Sequence, residues 1–236
     1  MKKFLALFLS LSILVFAFDI DVLKLTIQEV NEDEKTLVLS ASNKEVLVGE
    51  TGIVVHKISS GIISNSVLIT DVQSDKILAK YDKFTLLEQK YLPTPIVKPK
   101  KGDEVILRSF YSRGFIVAPN QKLYDSIKAL YPKIHFVSSD LLIADVGGKG
   151  IIDPSKKGFA ELCKIYSVGL IAIYASNGVN LLDCQSFEVL ERNAMENPDP
   201  KEVMYPLFAR VPARSFWDFI RPKKDYFKEY DKLLSK

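Results

Sequence analysis

Four lysines near the end of the sequence recur at every fourth position: Lys224, Lys228, Lys232 and Lys236. Apolar residues between them would share one face of a helix, so the spacing predicts a short amphipathic helix with ammonium groups on its other face. Acidic residues alternate with the lysines and could present a carboxylate beside an ammonium. A charged helix face is also an ordinary solvated face, and both interpretations stay open. The apolar set is Tyr226, Phe227, Tyr230, Leu233 and Leu234, and the acidic set is Asp225, Glu229 and Asp231.

A search for phosphate loops and metal sites finds no complete set of residues. Residues 147–150 read Gly-Gly-Lys-Gly, but Ile143 stands where a phosphate loop begins with glycine, and Gly150 stands where it needs Ser or Thr. This stretch therefore favours a surface turn. His56 and His135 each lack a second histidine or cysteine at metal-ligand spacing. We expect no metal and no other cofactor.

Candidate nucleophiles and acid pairs also have simpler explanations. Ser138-Ser139-Asp140 lacks the Gly-x-Ser-x-Gly pattern of a nucleophile elbow, and these residue types before two leucines are typical of a helix start. Glu32 and Glu34 lie in a polar stretch, where solvated turn acids are the default. The sequence therefore predicts a protein that is not an enzyme.

The first 17 residues have the composition of a secretory signal peptide, because Lys2 and Lys3 precede an apolar run that Ala17 closes. The run is shorter than the ~20 residues that cross a bilayer, so we expect cleavage and no membrane span in the mature chain. Without the two leader lysines, the 32 basic residues become 30, against 29 acidic ones. This balance predicts no nucleic-acid binding, which requires clustered Lys and Arg. We expect an exported protein of the cell surface or periplasm.

Cys163 and Cys184 are the two cysteines of the chain. In an oxidising compartment such a pair favours a disulfide over a metal site or a nucleophile. Closing a loop of about 22 residues would stabilise the fold by roughly 3 kcal/mol. Two buried, reduced thiols are the alternative, since free cysteine packs like a small apolar residue.

The elements that must position these residues form two lobes, and the predicted fold class is α+β. Residues 18–92 alternate short apolar runs with polar turns, which predicts a small antiparallel β barrel or sandwich. Residues 93–103 are a proline-rich connector, residues 104–192 an α/β lobe, and residues 193–236 a C-terminal segment with the amphipathic helix. The predicted strands of the first lobe are Val22–Val30, Thr36–Leu39, Val46–Val48, Ile53–Ile58, Val67–Val72 and Ile77–Tyr81.

The second lobe should contain two helices and a central hairpin. One helix is predicted between Asn120, as its N-cap, and Pro132, where it must stop. Another should begin at Asp153-Pro154. The nearly continuous apolar run Val168–Tyr174 is typical of a strand covered on both faces, and Asn177-Gly178 suits a tight turn to a returning strand. A helix lying across this hairpin would bring the two cysteines together.

Short motifs run through nearly all of the mature chain: Val48-Gly49-Glu50 with Gly52, Leu92-Pro93-Thr94-Pro95, Lys101-Gly102-Asp103, Ala118-Pro119-Asn120 with Leu123-Tyr124, Ser138-Ser139-Asp140-Leu141-Leu142, Tyr166-Ser167-Val168-Gly169, and Ser186-Phe187-Glu188 with Leu190-Glu191. In this order they resemble the conserved N-terminal domain of the plasminogen-binding proteins of Helicobacter and related ε-proteobacteria. Both cysteines fall at places that match this family. The combination is far more specific than any one motif.

The resemblance implies an exported, non-enzymatic protein that is displayed at the cell surface and captures host plasminogen through lysines. A kringle lysine site accepts an ammonium and a carboxylate held apart on an aromatic trough. As the last residue of the sequence, Lys236 offers both charges and is the leading candidate. Lys232, Lys228 and Lys224 are the internal candidates.

Two other functional classes stay open. The chain could be a structural or assembly module of the periplasm or envelope that contacts other envelope proteins and binds no host protein. An enzyme is the third class, which the search for catalytic residues disfavours. Exposure on intact cells distinguishes a surface binder from a periplasmic module.

Overall fold

The computed structural model describes residues 18–57, 61–88, 91, 97–148, 154–211 and 224–235. The predicted leader (residues 1–17), the first residues of the predicted connector (93–96) and Lys236 lie outside the described residues. The described chain forms a closed antiparallel barrel, a second sheet and four helices. The predicted α+β class is therefore confirmed, with a barrel and not a sandwich as the first lobe.

Six strands form the barrel: β1 Leu23–Asn31, β2 Thr36–Ser40, β3 Thr51–Lys57, β4 Gly61–Val72, β5 Lys76–Lys83 and β6 Glu104–Leu107. They are joined in the order β1-β2-β5-β4-β3-β6, and β6 closes the ring on β1. Apolar and polar residues alternate along them, so that each strand buries one face. In β1, for example, Leu23, Leu25 and Ile27 are buried in the barrel core while the residues between them are exposed.

Two sequence predictions for this lobe are wrong. We predict residues 104–192 as the second lobe, but β6 lies in the barrel, where Val105 is paired with both Leu25 and Val54. A strand between β1 and β3 is required there because it satisfies the free edges of both. The run Val46–Val48 forms no strand, since the chain turns back and Glu50 N donates to Leu47 O at 3.2 Å.

The second lobe contains a mixed sheet. Its strands are β7 Arg113–Val117, β8 His135–Val137, β9 Leu170–Ala175, β10 Gly178–Asp183 and β11 Val189–Asn193. The strand order is β11-β10-β9-β7-β8, with β7 parallel to β8 and β9, and with β10 antiparallel to both its neighbours. Every residue of β9 and β10 is buried, which confirms the predicted central hairpin.

Four helices accompany this sheet in the described chain: α1 Gln121–Leu130, α2 Ser139–Gly148, α3 Lys156–Tyr166 and α4 Tyr226–Leu234. The predicted N-cap of α1 is confirmed, because Asn120 Oδ1 accepts a hydrogen bond from Leu123 N at 2.9 Å. Helix α3 begins a little later than the predicted Asp153-Pro154, since Ser155 Oγ accepts from Gly158 N at 3.0 Å and caps it.

The two cysteines form the predicted disulfide. Cys163 lies in α3, Cys184 follows β10 directly, and their Cα atoms are 6.0 Å apart. Both side chains are buried. The bond therefore ties α3 to the end of the central hairpin, as we predict for a helix lying across that hairpin.

Gly52 lies where β3 approaches β6 most closely, and a methyl group added there would lie 2.5 Å from Ile106 O and 2.8 Å from Leu107 Cα. The neighbouring backbone cannot retreat without opening the barrel. We therefore expect Gly52→Ala to lower the free energy of unfolding by about 3 kcal/mol. Urea unfolding followed by circular dichroism measures this loss.

Gly61→Ala is the matched control for this prediction. Its added methyl group would meet one side-chain atom, Val55 Cγ1 at 3.0 Å, and no backbone atom within 4 Å. We expect a much smaller change in the free energy of unfolding, and equal losses for the two variants would contradict the argument from backbone crowding.

Candidate binding surface

Two tyrosines hold helix α4 on the second lobe. Tyr226 and Tyr230 are 1% and 0% exposed. The Tyr226 hydroxyl shares its one proton between Val117 O at 3.2 Å and Tyr174 O at 3.0 Å, and the Tyr230 hydroxyl donates to Pro206 O at 2.7 Å. Burial raises the pKa of both phenols well above the usual range, so both remain donors at neutral pH. The predicted amphipathic helix is confirmed, and the rest of its apolar stripe is Phe227, Leu233 and Leu234.

The internal lysine candidates lie on the opposite, exposed side of this segment. Lys224 precedes α4 by two residues, and Lys228 and Lys232 lie within it; all three are exposed. Four residues along a helix correspond to a rise of about 6 Å, so Lys228 and Lys232 share one face. We call Lys224, Lys228 and Lys232 the lysine face. Lys236, the leading candidate from the sequence, lies outside the described residues.

Two of the three acidic residues between the lysines fix the helix in place. Asp225 Oδ1 accepts from Lys228 N at 3.1 Å and caps the N-terminus of α4. Asp231 Oδ1 accepts from Ser176 N at 2.9 Å and ties the helix to the turn between β9 and β10. Asp225 and Lys228 therefore lie within one turn of each other at the N-terminal end of α4.

The residues considered for catalysis have structural partners. His56 Nδ1 lies 2.8 and 2.9 Å from the two carboxylate oxygens of Asp103, and Lys100 N donates to the same carboxylate at 2.8 Å. This pair ties β3 to the turn before β6. Ser138 Oγ accepts from Asp140 N at 3.3 Å at the beginning of α2, as the sequence predicts.

In the described part of the chain, no group of three or more His, Cys, Asp or Glu side chains could hold a metal ion. Among the helices that the structure describes, none has the length and apolar character needed to cross a membrane.

The chain itself covers the place where an α/β sheet usually binds its ligands. Strands β7 and β9 are adjacent and parallel, and the chain leaves β7 toward β8 but leaves β9 toward β10, which creates a switch point between their carboxyl ends. A strap, residues 202–211, crosses this point: Met204 N donates to Pro119 O at 2.8 Å and Phe208 N donates to Ala118 O at 2.7 Å. Arg210 pairs with Asp140 at 2.6 Å and completes the cover.

A buried carboxylate, Asp183, lies where the two lobes meet. Its Oδ2 atom accepts from Thr51 Oγ1 at 2.6 Å, from Thr51 N at 3.1 Å and from the Tyr111 hydroxyl at 2.7 Å. Its Oδ1 atom accepts from Gln185 N and Ser186 N, both at 2.8 Å. Burial raises the pKa of the Asp183 carboxyl, and these hydrogen bonds oppose that shift. The cluster joins the first residue of β3 to the turn between β10 and β11.

A buried ion pair lies beside Thr51, which is one of the partners of Asp183. Glu50 and Arg108 are 0% and 2% exposed, and the guanidinium makes two bonds to the carboxylate, at 2.8 and 3.1 Å. Arg108 Nη2 also donates to Glu45 O at 2.7 Å. Removing one member of such a pair leaves an uncompensated buried charge, which typically costs about 3–5 kcal/mol. The pair therefore fixes the loop before β3 to the end of β6.

A groove of about 460 Å³ opens beside the Asp183 cluster. Its rim carries charges of both signs, and Lys35 Nζ lies 3.3 Å from Asp82 Oδ1 across it. Ser66 and Thr51 line the interior, but both hydroxyls already donate within the protein, to the Asp82 carbonyl and to Asp183. The groove therefore offers no concentrated charge or free donor set that would select one ligand.

The sequence predicts the lysine-bearing helix and the disulfide, but it does not predict the polar cluster between the lobes. Thr51 and Asp183 are 132 residues apart in sequence, and His56 and Asp103 are 47 apart, so no local spacing reveals these pairs. A weak signal exists, because Glu50 and Asp183 are charged residues beside long apolar runs. Such a residue is buried only when it has partners.

The two hydrogen bonds of the Tyr226 hydroxyl should be needed to hold α4. Tyr226→Phe leaves Val117 O and Tyr174 O without this donor, and we expect the free energy of unfolding to fall by about 1.5 kcal/mol. Urea unfolding measures the loss, and faster hydrogen exchange in α4 should accompany it. Lys228→Ala is the control, and should change stability by less than about 0.5 kcal/mol because the side chain is exposed. If Lys228→Ala lowered the free energy of unfolding as much as Tyr226→Phe, the lysine face would be needed for the fold.

The comparisons with known proteins agree with the sequence resemblance. Residues 22–234 match the family model described as plasminogen-binding protein pgbA N-terminal. Two relatives from Helicobacter pylori are named plasminogen-binding protein PgbA. That of strain J99 is 36% identical over 198 residues, which cover 81% of this chain and 43% of the relative. That of strain 26695 is 34% identical over 220 residues, which cover 91% of this chain and 48% of the relative.

The chain thus spans about half the length of the curated relatives that it matches. No solved structure matches it. The match covers both lobes and helix α4, and it includes the residues of the buried cluster and of the lysine face. The chain therefore belongs to the family of plasminogen-binding protein pgbA N-terminal domains.

Proposed function

We propose that this protein is exported and binds host plasminogen through exposed lysines, without catalysing a reaction. The observation that carries the proposal is the lysine face, which a docked helix presents to solvent in a chain whose relatives are named plasminogen-binding proteins. Lys228 and Lys232 are the central candidates, and Lys224 extends the same surface. Lys236 adds a fourth ammonium beyond the described residues.

The chemistry of the lysine face suits a site that accepts an ammonium and a carboxylate together. Asp225 lies three residues before Lys228, on the same side of the helix, and its carboxylate is fixed by the capping bond at 3.1 Å. The lysine side chain is free to extend from a rigid backbone, so little backbone entropy is lost on binding. A kringle lysine site has an aromatic trough between its charged ends, along which the lysine stem can lie.

Export is supported by two features of the sequence and structure. Residues 1–17 have the charge and apolar pattern of a signal peptide. The disulfide between Cys163 and Cys184 is of a kind that persists in oxidising compartments and is rare in the cytoplasm. A location at the cell surface goes with the proposed host partner.

A structural or assembly role in the envelope is the second candidate, and one observation favours it. Several motifs that carry the family resemblance lie in the fold and not on the lysine face: Gly49 and Glu50 lie beside the Asp183 cluster, and Ser186 donates to Gly49 O at 2.7 Å. The family resemblance is therefore stronger support for a shared fold than for shared plasminogen binding. The relatives also contain as much chain again outside the matched region.

Replacing the lysine face should weaken capture of plasminogen. We expect the Lys224→Ala/Lys228→Ala/Lys232→Ala variant of residues 18–236 to bind immobilised plasminogen at least about tenfold more weakly than the parent chain, a loss of about 1.4 kcal/mol. Surface plasmon resonance measures this change. A free lysine analogue in excess should abolish binding of the parent, because it occupies the same site. A chain that lacks only Lys236 separates the contribution of that residue.

The matched control removes three ammonium groups elsewhere. Lys35, Lys57 and Lys98 have side chains that are 62%, 69% and 71% exposed on the barrel side of the molecule. Their surface ion pairs contribute roughly 0–1 kcal/mol each, so Lys35→Ala/Lys57→Ala/Lys98→Ala should fold and bind normally. Equal weakening by both triple variants would point to net charge. Capture that survives both the loss of the lysine face and the lysine analogue would contradict the proposal.

Location provides an independent test. If the protein is displayed at the surface, protease added to intact cells should digest it, while a periplasmic marker protein stays whole. Protection of both proteins until the outer membrane is opened would favour the envelope module. Absence of plasminogen capture together with such protection would replace the first candidate by the second.

A further inference from the structure

We infer that the Cys163–Cys184 disulfide controls the docking of the second lobe onto the barrel, so that the junction between the lobes is completed only after oxidation. The element through which it acts is the turn from Asp183 to Glu188, which we call the junction turn. Cys184 is the second residue of this turn and the point at which α3 is bonded to it. The inference does not depend on plasminogen binding.

The junction turn makes hydrogen bonds from the second lobe to the barrel. Asp183 accepts from the backbone and the hydroxyl of Thr51, at 3.1 and 2.6 Å. Ser186 Oγ donates to Gly49 O at 2.7 Å. Glu188 packs so closely on Gly49 that a methyl group there would lie 2.5 Å from Glu188 Cβ. Small displacements of the turn would therefore break all of these contacts together.

The shape of the turn is set by its own backbone bonds. Asp183 Oδ1 accepts from Gln185 N and Ser186 N, Phe187 N donates to Asp183 O at 3.0 Å, and Asp183 N donates to Glu188 O at 3.0 Å. Phe187 has a φ of 61°, in the left-handed region that is uncommon for residues other than glycine and unfavourable for a bulky one. The turn is therefore a constrained unit that needs a firm attachment.

Cys184 supplies that attachment. Its N atom donates to Gly169 O at 2.8 Å, and its sulfur is bonded to Cys163 of α3. The same Gly169 donates to Phe110 O at 3.0 Å, in the segment that leaves β6. Without the disulfide, α3 and the junction turn are joined by side-chain packing and by the hydrogen bond from Cys184 N to Gly169 O, three residues after the end of α3. The carboxylate of Asp183 then has more freedom to leave the Thr51 donors and become hydrated.

The chemical step is an ordinary thiol–disulfide exchange. The two thiols lose two protons and two electrons and form one S–S bond, while a disulfide oxidant takes up both electrons and both protons, loses its own S–S bond and becomes a dithiol. In a reducing compartment the cysteines remain thiols and the junction stays loose. In an oxidising compartment the bond forms and the lobes dock. Because both cysteines are buried in the folded protein, the bond then resists reduction until the structure opens.

Hydrogen exchange on residues 18–236 tests this inference at single amides. We compare the oxidised chain with a Cys163→Ala/Cys184→Ala variant. The amides of Thr51, Gln185 and Ser186, which bond to Asp183, should exchange at least about tenfold faster in the variant. The amides of Leu37 and Leu39, in the part of the barrel where β2 pairs with β5, should keep their parent rates. Equal acceleration at both sets, or none at the junction, would overturn the inference.

Two controls separate docking from general loss of stability. Asp183→Asn in the oxidised chain replaces one accepting oxygen by an NH2 group, which cannot accept from the hydrogen-bond donors that surround it. The variant should therefore accelerate exchange of the same junction amides although the disulfide is intact. Leu162→Ala opens a cavity beside Cys163 in α3 but keeps the bond, so it should accelerate amides of α3 and leave the junction amides unchanged. If Leu162→Ala loosens the junction as much as the cysteine variant does, the disulfide has no special part.

A time course covers the case in which the double variant does not fold. The oxidised protein is treated with a phosphine reductant, and free thiols and amide exchange are followed together. The junction amides should become exchangeable as the thiols appear, before the β2 amides do. Release of thiols with an intact junction would contradict the inference.

Discussion

Five hydrogen bonds from three separate parts of the chain converge on the carboxylate of Asp183. A carboxylate that is fully removed from water is costly, and it is tolerated only where donors replace its hydration. Tyr111 can serve as such a donor because burial raises the pKa of its phenol well above the usual range and keeps it protonated. Because the donors come from the barrel strand β3, from Tyr111 after β6 and from the turn that follows β10, this one group ties the barrel to the second lobe.

The sequence was sufficient for the elements that depend on local pattern. Alternation of apolar residues located most barrel strands, Asn120 marked the start of α1, and the apolar stripe of Tyr226 and Tyr230 located α4. The sequence could not show that β6 belongs to the barrel. Its buried residues Val105 and Leu107 alternate with partly exposed ones, and this pattern would be the same in either lobe. Only the need to close the barrel decides that question, and closure is a property of six strands together. The partners of Asp183 and His56 were beyond reach for the same reason, since each pairing joins distant parts of the chain.

The residues of the family motifs are constrained by packing and hydrogen bonds in the fold, whereas the proposed binding residues are exposed. Gly49 must lack a side chain because Glu188 lies against it, and Asp103 must accept from both His56 and Lys100. Substitution at such positions affects the whole fold. Lys228 and Lys232 are under no comparable packing constraint, because both are exposed on the outer side of α4. A match to the family therefore constrains the architecture closely and the binding surface only loosely.

Helix α4 nevertheless links the architecture to the proposed binding surface. A helix of nine residues is marginal on its own in water, because nucleation costs more than so few turns return. The lysine face is ordered because Tyr226 and Tyr230 are buried in the second lobe and Asp231 bonds to the turn after β9. That turn belongs to the central hairpin, whose other end carries Asp183 and Cys184. The hairpin thus connects the junction between the lobes to the helix that displays the lysines. A loss of order at the hairpin would reach both ends, whereas a change confined to a lysine ammonium would alter recognition and leave the fold intact.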